Sequence, residues 1–379
     1  MLSVLIRSAE QRLRQIAQAR QAVLECGTSL PGALADPWIE RSWRRCLASG
    51  KRPEQEVAFD VIAPQALRRT EEANHVLLQA ARPVLDKLGA AIASTRYFAI
   101  LTNADGVVVD VNGPIDRRDR RADLITRIGV NLSEQSVGTT AIGAALTELQ
   151  PVWLHRGEHF FTANCAYSCA GAPLFGPDGR CAGMLDLTGV DAVERPELKH
   201  LVTQSARSIE NALTQGRPHH LLIRLNWSQH CLGDDGDGLV CLDADGWVTG
   251  ANPAARQMVA HLDSANPAPV HGSELFAMPW ERLFDAATGA VSGLQASIEV
   301  PLWSGLRLHA LPLRPDRPAT SGRRSGAAAR APELPLKDIE TALIRKAVNE
   351  ARGNVMKAAR TLGVSRATVY RRLGGKPDK

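Results

Sequence analysis

The stretch GNVMKAARTLGVSRATVYRRL (353–373) leaves this chain fewer structural choices than any other. Ahead of it, Leu336, Ile339, Leu343, Ala347 and Ala351 recur at the spacing of one apolar helix face. Gly353 suits the C-terminal cap of that helix, and Asn354 suits the N-cap of a second one over 355–362. Ala358 and Ala359 are small enough for close helix contact. Gly363-Val364 makes a tight turn, Ser365 caps a third helix over 366–373, and Gly374-Gly375 stops it.

Charge is concentrated in the same place. From 336 to 379 eleven basic residues face four acidic ones, a net of +7 in a chain whose total is +5, so everything before it sums to −2. A basic module on a nearly neutral body is the asymmetry of a chain that meets nucleic acid. On the third helix Val369 and Leu373 share an inner side, while Ala367, Thr368 and Arg371 face away and Arg366 and Arg372 flank them. That pattern fits the recognition helix of a helix-turn-helix, with arginine gripping guanine in the major groove and flanking arginines on phosphate. Asn354, Ser365, Arg366, Thr368, Arg371 and Arg372 are the predicted contacts with double-stranded DNA. A three-helix bundle that meets only protein would need neither the charge nor the turn.

The remaining residues are enough for two more domains. Residues 1–65 read as an N-terminal helical segment interrupted at 26–37, and 66–95 as helix broken near Pro83. Strand-prone runs follow at 97–102, 107–111, 152–154, 172–175 and 181–187, with turn signals at Asn103-Ala104-Asp105-Gly106 and Gly176-Pro177-Asp178-Gly179. A helix over 198–213 closes an α+β domain at 66–215. A smaller α+β unit is predicted over 228–313, with strands at 239–242, 247–249, 296–302 and 306–313. The stretch 314–335, rich in Pro, Arg, Gly, Ser and Ala, reads as a flexible linker. The final module is 336–375. No apolar run approaches the length of a membrane span, the opening segment lacks a secretory pattern, and seven scattered cysteines argue for a reducing compartment. The expected location is cytoplasmic.

These segments resemble known regulators. GNVMKAARTLGVSRATVYRRL resembles the Fis-type helix-turn-helix of bacterial activators, which implies a homodimer reading a two-fold symmetric site. Arg41-Ser42-Trp43-Arg44-Arg45-Cys46, GVNLSEQSVGTTAIGAAL (129–146), GEHFF and CAGAPLFGPDGRCAGMLDLTG (157–189) resemble the acetoin-catabolism activator family, which implies a GAF sensor domain over 66–215. Leu242-Asp243-Ala244-Asp245-Gly246 and Ala251-Asn252-Pro253-Ala254-Ala255 resemble a PAS domain. The family's central ATPase needs a G-x-x-x-x-G-K-[ST] loop, and no such string occurs in residues 1–379. RNA polymerase or an ATPase-bearing relative is therefore the expected protein partner.

Within the front domain, Thr139, Thr140, Trp153, Glu158, His159 and Phe160 are the candidate contacts for a small-molecule effector. Thr139 and Thr140 lie in a Ser/Thr/Gly run that opens a helix, where backbone amides can face a polar ligand or simply cap. Trp153 and Phe160 line a pocket or fill core, and Glu158-His159 is an acid/base pair or a structural one. Cys165, Cys169 and Cys181 invite an alternative, a GAF-type methionine sulfoxide reductase or thiol redox sensor, although their spacing matches no zinc pattern and buried cysteine usually just packs. No metal, cofactor or enzymatic activity is expected.

Overall fold

The computed structural model of the chain describes residues 2–29, 35–262, 268–288, 297–315 and 355–356, with the side chains of 2–9 left out. The chain divides into two compact units, Met1–Asp316 and Arg317–Lys379. The first unit holds two sheets.

Four helices open it: α1 (Leu2–Arg20), which widens into a π-helical turn at Gln21–Glu25, then α2 (Pro37–Ala48), α3 (Pro64–Ala73) and α4 (His75–Ile92). Proline occupies the first turn of α2 and of α3, where its missing N–H is one of the unpaired four. The break expected near Pro83 is not there. Pro83 lies inside α4, and the chain divides at Asn74 instead. Losing one hydrogen bond to proline costs about 3 kcal/mol, which is outweighed by burying Leu77, Ala81, Leu85, Leu88 and Ile92 on one face.

The first sheet is antiparallel, ordered β2-β1-β5-β4-β3, with β1 (Tyr97–Asn103), β2 (Val108–Asn112), β3 (Val152–His155), β4 (Tyr167–Phe175) and β5 (Cys181–Val190). Both faces are covered, so the inner strands are apolar without alternation. On one face α4 and α8 (Leu198–Gln215) pack on Tyr97, Ala99, Leu101, Leu185 and Leu187. On the other lie α5 (Arg120–Ile125), α6 (Glu134–Val137) and α7 (Ala141–Glu148), with Trp38, Ile39 and Trp43 of α2 in the same cluster as Phe98, Ile100 and Met184. Residues 1–65 are thus no separate segment: α2 fills the core of the first domain.

A second antiparallel sheet, ordered β8-β7-β6-β10-β9, follows from β6 (Leu221–Asn226), β7 (Gly238–Leu242), β8 (Val248–Ala251), β9 (Ile298–Pro301) and β10 (Arg307–Leu313). Its helices are α9 (Pro253–Met258), α10 (Gly272–Leu275) and α11 (Glu281–Thr288). The central strand β6 precedes residue 228, so this unit begins at 221; the alternating exposure of β6 is brief and follows a helix directly, which hides it in the sequence. The α+β class expected from the sequence holds for both domains. Among the described residues no helix is long and apolar enough to cross a membrane, and no cluster of His, Cys, Asp or Glu is arranged to hold a metal ion.

Candidate functional site

The midpoint of β5 carries a side chain that the fold does not need. Asp186 is fully buried, facing the α7 side of the sheet between Ile100 of β1 and Gly171 of β4. Gly171 is required there: a Cβ would lie 2.3 Å from Met184 and 3.2 Å from the carbonyl oxygen of Ala141, so its absence lets α7 approach the strand. Between α7 and the sheet remains a cavity of about 30 Å³. Its apolar wall is Phe59, Ile100, Ile125, Leu132, Ala141 and Ile142; its polar wall is Thr140, His159, Asn164, Tyr167, Cys169, Asp186 and Thr188.

The polar wall is an ordered chain. His159 Nδ1 lies 2.9 Å from the carbonyl oxygen of Arg156 and its Nε2 3.5 Å from Cys169 Sγ. Cys169 Sγ is 3.2 Å from Thr188 Oγ1, which donates to Asp186 Oδ2. Burial pushes the His159 pKa down to about 4, keeping the ring neutral, and pushes the Asp186 carboxyl up to about 7 against the Thr188 bond. Two oxygens end without a partner: Asp186 Oδ1 and Asn164 Oδ1. Asn164 spends its amide on the Val137 carbonyl, 3.2 Å away. An unmatched buried acceptor costs about 1–3 kcal/mol, and both of these lie on residues that line the same cavity.

Two segments enclose the site. One is the segment 57–62, which puts Phe59 into the lining. Asp60 O accepts from Asn131 N at 3.2 Å, Ile62 N donates to Gly129 O at 2.9 Å, and Arg127 Nη2 donates to Phe59 O at 2.7 Å. The loop 156–161 forms the other side and is held by the N-terminal helices. Arg20 donates to the carbonyls of Gly157, His159 and Phe160, and Trp43 Nε1 to that of Glu158 at 2.9 Å.

Of the six predicted contacts, Thr140 and His159 line the cavity. Thr140 also caps α7, its Oγ1 accepting from Gly143 N at 3.2 Å. The other four lie elsewhere. Thr139 Oγ1 is 2.7 Å from Ser42 Oγ and ties α2 to the domain. Trp153 is on the opposite face of the sheet, stacked on His155. Phe160 packs edge-on to Phe161 in the core. Glu158 pairs with Arg12 of α1 and accepts from His155 N at 2.7 Å. Asp186 and Asn164 were not among the residues expected from sequence, although a lone acid in the apolar run Met184-Leu185-Asp186-Leu187 was a visible signal.

The thiol alternative finds no support. Cys169 sits opposite Thr188, seven residues along β5 from Cys181, so roughly 20 Å separates them. Burial pushes the thiols of Cys165, Cys169 and Cys181 up, away from the reactive thiolate. The predicted DNA contacts Asn354, Ser365, Arg366, Thr368, Arg371 and Arg372 lie outside the described residues.

Comparison with known proteins finds two family matches along the chain. The family described as "MimR, N-terminal domain" matches residues 14–211, and "Bacterial regulatory protein, Fis family" matches 335–374. The "Acetoin catabolism regulatory protein" of Cupriavidus necator is 30% identical over 281 residues, 70% of this chain and 41% of that one. The "Propane 2-monooxygenase operon transcriptional activator MimR" of Mycolicibacterium goodii is 29% identical over 198 residues, 52% of this chain and 33% of that one. The chain thus spans less than half the length of these relatives. A solved structure titled "Crystal Structure of the E.coli DhaR(N)-DhaL complex" is 17% identical with a TM-score of 0.46, covering 74% of this chain and 100% of that one.

Proposed function

Because the chain belongs to the MimR N-terminal domain family, we propose that it is a DNA-binding transcriptional regulator whose affinity for its operator is set by a small molecule held beside Asp186. The observation that carries this reading is the pair of partnerless buried oxygens, Asp186 Oδ1 and Asn164 Oδ1, around one cavity. Two relatives' names concern small carbon compounds, acetoin and propane.

The occupant acts by favouring one arrangement of the protein over another, which requires unequal affinity for the two. His159 lines the cavity while its carbonyl is held by Arg20, so a shift of that loop reaches α1. At the other end a homodimer presents two recognition helices to a two-fold site in the cytoplasm. Asn354, Ser365, Arg366, Thr368, Arg371 and Arg372 carry the contact, and RNA polymerase or an ATPase-bearing relative takes up the signal. In a gel-shift assay on the full chain, Arg371→Ala lowers affinity for the selected site by roughly ten- to a hundredfold, from about 1–3 kcal/mol of lost base contact. Undiminished binding by that variant removes the recognition helix from the proposal.

A further inference from the structure

Resting on the reading of the cavity as the effector site, we propose that the occupant is an uncharged molecule of about five non-hydrogen atoms bearing two adjacent hydrogen-bond donors, one for Asp186 Oδ1 and one for Asn164 Oδ1. With Asp186 ionised both unmatched atoms are acceptors, and both residues are buried, at 0% and 1% exposure. The remaining polar atoms of the wall are mostly engaged: Thr140 in its cap, Tyr167 in a bond to the carbonyl of Arg121, Thr188 with Asp186, His159 with Arg156 and Cys169. A ligand that only accepts hydrogen bonds would leave the two oxygens as they are.

Charge is excluded by the same wall. No Lys or Arg lines the cavity, so an anion would meet two acceptors and a neutral imidazole. A cation would pair with Asp186 but lose its hydration among six apolar side chains, a loss that a buried pair seldom recovers. Size follows from the space. About 30 Å³ takes two or three non-hydrogen atoms as it stands, so an occupant of five requires the segment 57–62 to give way. That segment is tied by backbone-directed bonds at Phe59, Asp60 and Ile62 and by the bridge of Val61 to Val130, and Phe59 is the one residue of it that lines the cavity. A space so small places the two donors on neighbouring atoms.

Titration calorimetry on the 379-residue chain at pH 8, where Asp186 is mostly ionised, tests this with five probes of closely similar size: 1,2-propanediol, hydroxyacetone, butanone, propionate and isobutylamine. The diol binds, hydroxyacetone binds several-fold more weakly, and the other three give no heat of binding. Asp186→Asn, whose fold is checked by its melting curve, weakens the diol about tenfold or more, as expected for a bond to a charged acceptor. Butanone, propionate or isobutylamine binding as well as the diol overturns the donor rule while leaving an effector site in place, as does a diol affinity untouched by Asp186→Asn. Silence from all five overturns the effector reading itself.

Discussion

Asp186 sets the residue scale because the fold would be better off without its charge. Its carboxyl is raised from the ordinary value to about 7 by burial, so the stability it contributes is present below the usual carboxylate range and lost as pH rises through about 7. Keeping the charged form inside the fold at pH 8 costs on the order of 4 kcal/mol relative to the unfolded chain. Asp186→Asn removes that cost while keeping shape. The variant should melt several degrees above the wild type at pH 8, with the gain shrinking toward pH 5; an equal gain at both values would mean that ionisation of Asp186 is not its source. His155 and His159, both pushed down to about 4 by burial, titrate in the opposite sense and lose their contribution as pH falls below the ordinary histidine value. They do so equally in both proteins and cancel from the comparison.

At the scale of elements, the loop 156–161 depends on helices more than a hundred residues away in sequence. Arg20 satisfies three of its carbonyls, and Trp43 a fourth. Arg20→Ala strands three buried or half-buried acceptors, and urea unfolding should show a loss of about 2–4 kcal/mol; a change below about 0.5 kcal/mol would show that solvent takes over those carbonyls. Gly138, between α6 and α7, has φ +70° and would place a Cβ 2.8 Å from the Phe161 ring. Gly138→Ala therefore combines backbone strain with a clash and should lower the melting temperature at every pH, because neither effect titrates. Turns repeat one device in both domains: Asn103 and Asp243 each accept from the amides two and four residues on, with Gly106 and Gly246 at positive φ.

For the whole molecule, Asn252 joins the two sheets' domains. Its Nδ2 donates to Asn211 Oδ1 of α8 and to Asp237 O, and its Oδ1 accepts from Leu239 N and Ala255 N, all at 2.7–2.8 Å. Asn252→Ala leaves four buried groups unmatched and should cost about 3 kcal/mol, with the second domain melting ahead of the first; a single unshifted transition would deny it that role. On the proposed reading, the +7 of residues 336–379 should make DNA binding steeply salt-dependent, about a thousandfold between 50 and 200 mM if several phosphates are met. A shallow dependence would point to a protein partner instead.

What the amino-acid order determined alone was whatever depends on near neighbours. The helical spacings of α4 and α8, the Gly-bearing turns, the basic C-terminal module and the α+β class all follow from period, propensity and charge within short windows. Tertiary structure decided everything set by contact across the chain. Helix α4 runs through Pro83 because the sheet rewards its apolar face. Trp153 of β3 and Thr140 at the start of α7 end on opposite sides of one sheet, and only strand pairing and helix packing fix which side holds the cavity. Asp186, Phe59 and the pair His159 and Asn164 meet from three separate segments, and no local pattern reports that meeting.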